Sequence, residues 1–215
     1  IQKIIKNLEL IIVDDNSNDG TKEILEQLNQ EKKCKVIFRN KSRGLASAFL
    51  RGVIESSGDY IGWLDTNMTE SVAIFEKMSS LLNSENDIII LSRYVEGGSD
   101  KRKLIRSLSS KYFNILCRFV LQLPIKDLTS GIFIMKREVI DEVTFLGYGH
   151  GEFFIEFIDN AHRKGFKIKE IPFNQYTEDT LGTSKTAPNL IKFSFLGLMY
   201  FMRIISIIIR RFSKN

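Results

Sequence analysis

The sequence predicts an α/β fold in which a mostly parallel sheet is flanked by helices. Short apolar runs rich in β-branched residues alternate with segments whose apolar residues have helical spacing. Two of the runs end in acidic turns, at residues 14–21 and 65–67. Hydrophobic residues make up 43% of the 215 residues, which is enough for one sizeable core. Such alternation implies right-handed β-α-β crossovers, and ligands bind beyond the carboxyl ends of the strands in sheets of this kind.

Each element follows from its own pattern of apolar residues. Continuous β-branched runs predict strands, and the spacing of Ile24, Leu25 and Leu28 is typical of the helices. Pro124 is expected to end the long helix that precedes it. The predicted strands are residues 9–13, 35–38, 60–64, 87–91, 131–135 and 167–173. The predicted helices are residues 21–29, 44–56, 72–82, 103–121 and 153–164.

The two ends of the chain differ from this alternating pattern. Residues 1–8 have the pattern of the last turns of an amphipathic helix and no initiator Met, which predicts a chain without its natural beginning. Residues 190–209 are strongly apolar but include Lys192 and Arg203, and Arg210 and Arg211 follow. A spanning helix needs about 20 uninterrupted apolar residues. We therefore predict one domain over residues 1–188 and, within residues 189–215, an amphipathic membrane-associated helix whose basic residues snorkel to the interface. The alternative is a C-terminal helix docked on the core.

Composition narrows the classes of partner. The 31 basic and 26 acidic residues give a net charge of +5, part of it at the C-terminus. No helix-turn-helix, zinc-finger or RNA-binding aromatic motif accompanies this charge, so an anionic membrane surface is favoured and nucleic acid is not. Two cysteines form no disulfide framework and indicate a reducing compartment. Two histidines are too few for a zinc cluster.

Several ordered motifs resemble those of family 2 glycosyltransferases. Residues 14–21 resemble the family's DDxSxDGT segment, residues 39–46 its N-x-G-x-x-x-A segment, and residues 58–60 with 65–67 its GDYI-x-x-x-DAD block. In the second half, residues 92–98, 127–133 and 182–185 resemble the SRYxxGG, DxxSGF and GxSK motifs of dolichyl- and polyprenyl-phosphate mannose or glucose synthases. Any one of these motifs alone would be weak, but their order and spacing together are specific.

The resemblance implies a GT-A fold and an inverting hexosyl transfer. The donor would be a nucleotide diphosphate sugar, either GDP-mannose or UDP-glucose, and the acceptor dolichyl or polyprenyl phosphate at the cytoplasmic face of a membrane. The family's first strand, with its PxYNE motif, is absent before Ile1. Asp179 stands where relatives usually have Arg, so phosphate binding by that loop is expected to depend on Ser184 and Lys185.

The resemblance also assigns candidate site residues. Asp15 would contact the base or ribose of the nucleotide; the alternative is that residues 14–20 only form a turn and cap the helix that begins at Thr21. Asp65 would be the central carboxylate and would hold Mg²⁺ or Mn²⁺ with Asn67. Asn67 replaces the family's Asp and brings no charge, so weaker metal binding is expected. The predicted substrate-binding residues are Asp14, Asp15, Ser17, Asp19, Arg43, Gly44, Asp127, Ser130, Gly131, Ser184 and Lys185.

Arg93 and Arg102 complete the predicted catalytic group with Asp65. Arginine matches phosphate geometry with paired hydrogen bonds, so these two side chains are candidates to hold the acceptor phosphate, assisted by Arg106 and Ser107. An ionised phosphate needs no general base. One alternative is transfer to a sugar hydroxyl, with Glu152 or Asp127 as the base. Another is a non-catalytic subunit, which Asn67, Asp179 and the missing first strand favour.

Overall fold

The computed structural model describes residues 7–64, 72–149, 151–175 and 190–212. Strands and helices alternate along the chain, as the apolar pattern predicts. The strands are β1 (Ile11–Asp14), β2 (Lys35–Phe38), β3 (Tyr60–Trp63), β4 (Ile88–Ser92), β5 (Ser99–Asp100), β6 (Phe133–Lys136), β7 (Ile168–Pro172) and β8 (Asn174–Gln175). The helices are α1 (Thr21–Gln30), α2 (Leu45–Ile54), α3 (Val72–Ser80), α4 (Leu104–Leu121), α5 (Arg137–Glu142), α6 (Phe153–Arg163) and α7 (Leu190–Phe212).

The central sheet contains one antiparallel strand, β6. It has four strands in the order β3-β6-β4-β7. β6 runs antiparallel to both of its neighbours, with Phe133 opposite Trp63 on one side and Ile90 on the other, whereas β4 and β7 are parallel. β1 pairs with β2, and β5 with β8, in two small parallel sheets. Three of the five strand pairs in the described residues are parallel, as the predicted fold requires, and β6 is the exception because it enters the sheet between two strands that run the opposite way.

The core lies on both faces of the central sheet. Every residue of β4 is buried, as expected for a strand covered on both sides. On one face, Ile88 and Ile90 pack with residues of α2, α4, α6 and α7. On the other face, Ile89 and Leu91 pack against α3. Phe49 of α2 lies at the centre of an aromatic group, with its ring centroid 5.0 Å from that of Trp63 and 5.6 Å from that of Phe133.

The predicted elements agree with the structure to within three residues at each end. The helix predicted for residues 1–8 falls mostly outside the described residues. Three short elements, β5, α5 and β8, were missed because two to six residues carry too little apolar periodicity to be recognised. Among them, β5 and β8 matter for the site, because their pairing brings Asp100 alongside Gln175.

The C-terminal helix α7 docks on the core. Ile204 and Ile207 are buried, and so is Arg203, which we had expected to snorkel to an interface. That expectation is wrong for Arg203, because acidic residues of α6 draw its guanidinium inward: its Nη1 lies 2.9 Å from Glu156 Oε2. Arg210 also pairs with Glu156, and Arg211 with Asp159. In the described part of the chain no helix is long and apolar enough to cross a membrane.

Candidate active site

The acidic turn after β1 forms most of its hydrogen bonds within itself. Asp14 is buried, and its carboxylate accepts hydrogen bonds from the Ser17 backbone N–H (2.9 Å) and hydroxyl (2.5 Å). Asp19 accepts hydrogen bonds from the backbone N–H and hydroxyl of Thr21, the first residue of α1. Residues 14–20 thus form the turn that the alternative expected, and Asp19 bonds to the first residue of α1, although Gly20 at the N-cap position provides no side-chain cap. Contact of Asp14, Ser17 and Asp19 with a nucleotide stays a prediction.

Asp15 joins the ends of two strands to the start of α2. Arg39, directly after β2, donates from Nε to Asp15 Oδ1 (2.6 Å) and from Nη2 to Oδ2 (2.7 Å). The Gly44 backbone N–H donates to the same Oδ2 (2.9 Å), and Arg39 also donates to the Ser47 hydroxyl. Asp15 remains 29% exposed, so one edge of this cluster faces solvent. A ligand at this edge would meet Asp15 already oriented by Arg39.

Arg39 is a site residue that the sequence analysis missed. It is the first residue of the segment 39–46, and the resemblance drew attention to Arg43 and Gly44 instead. Arg43 is exposed, and no ion pair to it is found within the described ranges. The available signal was the position of Arg39 at the carboxyl end of β2, because parallel neighbours β1 and β2 bring their ends together and Asp14 lies opposite Phe38.

Arg93 lies in a buried polar network at the end of β4. Its guanidinium donates to both oxygens of Asp127, from Nε to Oδ2 (2.8 Å) and from Nη2 to Oδ1 (2.7 Å). Nη1 donates to Gln175 Oε1 and Nη2 also to the Thr129 hydroxyl. The negative charge of Asp127 raises the pKa of Arg93 against the opposing effect of burial. The predicted contact with an acceptor phosphate stays a prediction, and it would require Arg93 to release partners that it holds here.

Asp100 and Arg102 form a second pair beside this network. Arg102 donates from Nε (2.8 Å) and Nη2 (2.6 Å) to the two carboxylate oxygens of Asp100. Arg93 Nη1 lies 3.5 Å from the same carboxylate. Burial raises the pKa of Asp100, but the hydrogen bonds and charge of Arg102 and the charge of Arg93 outweigh burial and hold this pKa below its usual value. Ser107 donates to the Asp100 carbonyl, so it also supports this corner.

The loop that carries Asp127 is fixed from two sides. Glu170 of β7 accepts hydrogen bonds from the backbone N–H groups of Lys126 (2.7 Å) and Asp127 (2.8 Å). Asn114 of α4 is buried, accepts from the Leu128 N–H and donates to the Thr129 hydroxyl. Asp127 is thus held by backbone and side-chain contacts. The following residues, Ser130 and Gly131, are half-buried, and Gly131 has a φ of 71° that favours glycine.

Glu152 is one of the two candidates for the base that a hydroxyl acceptor would need, and its side chain is buried. It is 3% exposed and lies 3.9 Å from Arg203 Nη2. Burial, together with the negative charge of Glu152, raises the pKa of Tyr200 of α7. The other candidate base, Asp127, is completely buried with Arg93. Both carboxylates therefore lie in protein surroundings rather than at an open site.

Several predicted residues lie outside the described part of the chain. They are Asp65, Asn67, Ser184 and Lys185, and Asp179 is another. Within the described ranges, no group of three His, Cys, Asp or Glu side chains could hold a metal ion. The donor chemistry of Asp65 and Asn67, two oxygen ligands, suits Mg²⁺ or Mn²⁺.

Two helices next to the Arg102 corner present apolar side chains to solvent. We call this surface the apolar face. On α4 it comprises Leu104, Ile105, Leu108, Tyr112, Ile115, Leu116 and Phe119, and on α7 it comprises Phe195, Leu198, Phe201, Met202, Ile209 and Phe212. The two helices touch, with the Phe113 and Tyr200 ring centroids 5.4 Å apart. Large exposed apolar surfaces mark sites that contact a membrane, a ligand or a protein.

Comparison with known proteins identifies one matching family and relatives named as mannosyl transfer enzymes. Residues 1–144 match the family described as glycosyl transferase family 2. A dolichol-phosphate mannosyltransferase of Pyrococcus furiosus is 34% identical over 170 residues, which cover 78% of this chain and 47% of the relative. A polyprenol monophosphomannose synthase of Mycolicibacterium smegmatis is 28% identical over 196 residues, which cover 86% of this chain and 72% of the relative. The chain therefore spans less than half of the first of these relatives.

Solved structures resemble the chain in fold. Glucosyl-3-phosphoglycerate synthase of Mycobacterium tuberculosis, solved with UDP, matches with a TM-score of 0.67 at 17% identity, covering 96% of this chain and 72% of that one. The same enzyme has been solved with Mn²⁺, UDP-glucose and glycerol 3-phosphate, with equal scores. At this identity the likeness concerns the fold alone, and that fold is the mixed α/β architecture described above.

Proposed function

The chain belongs to glycosyl transferase family 2, and from this premise we propose that it transfers mannose or glucose from a nucleotide diphosphate sugar to a polyprenyl or dolichyl phosphate. The relatives named above as a dolichol-phosphate mannosyltransferase and a polyprenol monophosphomannose synthase support this acceptor class. The observation that carries the proposal is the apolar face beside Arg102 and Arg106, since a lipid phosphate needs an apolar surface and cations at its edge.

The donor would bind at the carboxyl ends of β1 and β3. There Asp15, oriented by Arg39, would accept hydrogen bonds from the nucleotide, with Asp14 and Asp19 shaping the turn around it. Asp65 and Asn67 would hold Mg²⁺ or Mn²⁺, which neutralises charge on a leaving diphosphate when bound. Ser184 and Lys185 would contact phosphate. Asn67 contributes no charge, so we expect the metal to bind more weakly than it would with a second carboxylate.

The acceptor phosphate would attack the anomeric carbon without a general base. Its oxygen is already ionised at neutral pH, so the protein has only to position it and to balance its charge. Arg102 is the candidate for this contact, with Arg106. Arg93 would act through Asp127 and Asp100 by fixing the loops that surround the acceptor. Transfer to a sugar hydroxyl is disfavoured, because Glu152 and Asp127 are buried and held by arginines.

The apolar face also supports a location at a membrane surface. Apolar side chains that enter the headgroup region stabilise peripheral binding, and basic residues nearby attract anionic lipid. In this proposal α4 and the outer side of α7 rest on the cytoplasmic face of the membrane, and the inner side of α7 stays on the core. Residues 1–188 would form the catalytic domain, with α7 as its membrane-facing support.

Transfer of labelled sugar tests the proposal directly. Wild-type protein, with any coding sequence that precedes Ile1 restored, is incubated with polyprenyl phosphate, Mg²⁺ or Mn²⁺, and either GDP-mannose or UDP-glucose. We expect a labelled lipid product from one donor, a loss of at least about 100-fold in Asp65→Ala, and no loss in Asp141→Ala, which removes an exposed carboxylate of α5. A folded protein that transfers neither sugar would contradict the proposal and favour a hydroxyl acceptor or a non-catalytic role.

A further inference from the structure

A small basic cavity lies beside the buried Arg93 network, between α4 and the loop that leads to Asp127. Its volume is about 220 Å³. That is roughly seven times the ~30 Å³ that a water molecule occupies in the liquid, and less than the ~300 Å³ at which pockets for whole small-molecule ligands begin. The cavity therefore suits a phosphate-sized group and not a nucleotide sugar. It is lined by Tyr94, Lys111, Asn114, Ile115, Arg118 and Lys126.

The lining carries positive charge and no carboxylate. Lys111 and Arg118 come from α4, and Lys126 comes from the loop. In the described ranges none of these three cations is found in an ion pair. The acidic residue at this loop, Glu170, uses its carboxylate to accept the backbone N–H groups of Lys126 and Asp127. Lys111 and Lys126 are exposed and Arg118 is half-buried, so water and salt screen part of their mutual repulsion, and an anion bound between them would remove more of it.

Two buried polar atoms at the cavity add a second observation. Tyr94 Oη and Arg118 Nε are both shielded from solvent, and neither has a partner at hydrogen-bond geometry among the described residues. Ser110, whose hydroxyl is bonded to Thr129 Oγ1 (3.2 Å), lies near the Tyr94 hydroxyl and lowers the Tyr94 pKa, but the two hydroxyls do not reach hydrogen-bond geometry. Buried donors without partners are rare and costly, and a bound ligand is one explanation for them. Burial raises the pKa of Tyr94, so its hydroxyl keeps its proton and can donate at neutral pH.

We propose that this cavity binds a phosphate group through Lys111, Arg118, Lys126 and the Tyr94 hydroxyl, at a site separate from the acceptor phosphate. Lys111 and Arg118 are about 8 and 18 Å beyond Arg106 along the axis of α4, and helical geometry turns both of them by roughly 120–140° around that axis from Arg106, so the cavity opens on a different side of the helix. The ligand is a phosphate ester of one of two sources, a membrane lipid headgroup or a soluble phosphate. The inference rests on the proposed function only for the choice between these sources.

The neighbouring apolar face favours the lipid source. Ile115 lines the cavity and is 49% exposed, and Tyr112, Leu116 and Phe119 lie on the same helix with exposed apolar surface. If α4 rests on a membrane, headgroup phosphates lie at the level of the cavity mouth. The cavity would then fix how the protein sits on the bilayer and leave the acceptor position free.

The test measures phosphate binding in two forms. Inorganic phosphate is titrated against the whole protein, and binding is measured separately to vesicles of phosphatidylcholine with and without phosphatidylglycerol. Lys111→Gln/Lys126→Gln removes two charges from the cavity, and the control Lys164→Gln/Lys169→Gln removes two exposed charges that do not line it. We expect a loss of about thirtyfold in anionic-vesicle binding for the cavity pair, and less than threefold for the control.

The Tyr94→Phe variant distinguishes a specific phosphate site from nonspecific attraction to a basic surface. It changes no charge and removes a hydroxyl with no hydrogen-bond partner in the described ranges, so the urea unfolding midpoint should not fall. If that hydroxyl donates to phosphate, its loss weakens binding by about tenfold or more. Losses in both phosphate and vesicle binding support a lipid headgroup site, and losses with phosphate alone support a soluble ligand. A Tyr94→Phe variant that binds both like wild type overturns the proposal, whatever the lysine variants do.

One further variant keeps this result apart from the proposed function. Arg102→Gln should abolish sugar transfer if Arg102 holds the acceptor, and it should leave the effect of Tyr94→Phe on phosphate binding unchanged. If the protein with Arg102 intact transfers no sugar but its phosphate binding is weakened by Tyr94→Phe, the cavity site stands and the proposed function is contradicted. If it transfers sugar but Tyr94→Phe leaves phosphate binding unchanged, the proposed function stands and the cavity site is contradicted.

Discussion

Two of the arginine–aspartate pairs described above differ in burial. Arg39 and Asp15 meet at the ends of β1 and β2 with side chains 9% and 29% exposed, whereas Arg93 and Asp127 are 2% and 0% exposed. In both pairs the arginine donates to both carboxylate oxygens, and in both the aspartate lies in a segment that resembles a family motif. A partly exposed pair can share its carboxylate with a ligand, while a fully buried pair cannot release one partner without leaving a bare charge. The first pair is suited to binding, and the second to holding loops in place.

Removing Asp127 should give the largest effect. Asp127→Ala removes both charge-assisted hydrogen bonds to the buried Arg93 and leaves, of its described ion pairs, only the longer contact with Asp100 (3.5 Å), so we expect the free energy of unfolding to fall by about 3–5 kcal/mol. Urea unfolding followed by circular dichroism measures this loss. The double variant Arg93→Met/Asp127→Leu removes both charges and should recover a large part of it. A double variant as unstable as Asp127→Ala would show that shape, not charge, sets the stability of this corner.

The turn that carries Arg93 can be tested without touching a charge. A Cβ on Gly98 would lie 2.5 Å from the Ser92 carbonyl oxygen and 3.0 Å from that of Arg93. Both are backbone atoms, so Gly98→Ala must shift the turn, and we expect a loss of about 1–3 kcal/mol in urea unfolding. The matched control is Gly197→Ala, at an exposed site within α7 with nothing within 4 Å, which should gain about 0.5–1 kcal/mol. Equal effects at both glycines would rule out the steric explanation.

Asp15→Ala should separate stability from binding. Its pair with Arg39 is partly exposed, so the free energy of unfolding should fall by only about 1 kcal/mol or less. Calorimetric titration with GDP and UDP should nevertheless show about tenfold weaker binding of the nucleotide that wild type prefers, because a hydrogen bond to a charged group is lost. Asp141→Ala is the control for both measurements. If nucleotide affinity is unchanged, Asp15 serves the turn and not the donor.

Lowering the pH should give the smallest loss of stability, through protonation of Asp100. Its pKa in the folded protein lies below the usual value of 3.8, so its stabilising contribution is present above that value and is lost as pH falls through the lowered pKa. Wild type should therefore lose stability more steeply than Asp100→Asn below about pH 4. Urea unfolding at a series of pH values measures the two slopes. Parallel slopes would mean that the contacts with Arg102 and Arg93 do not persist in solution.

The sequence predicted the secondary-structure elements better than it predicted which side chains contact one another. Periodicity placed α4 and β4 within one residue, because burial on a helix or strand repeats along the chain. It could not give the direction of β6, which depends on the path of a loop between distant elements. The partners of Asp15 and Asp127 stand 24 and 34 residues away, and no local pattern links them. A motif thus pointed to candidate residues, and only the fold showed which of them face another side chain.

Residues of α7 are synthesised after the helices that they pack against, and they complete the core. Arg203, Arg210 and Arg211 balance acidic residues of α6, and Ile204 and Ile207 fill the core next to them. A ribosome adds about 5–20 residues per second. The nascent domain must therefore wait with Glu156 and Asp159 unpaired until α7 leaves the exit tunnel. Folding of the described domain is therefore expected to finish only after α7 has left the exit tunnel. Until then the acidic side of α6 is only partly covered, and a chaperone could bind it.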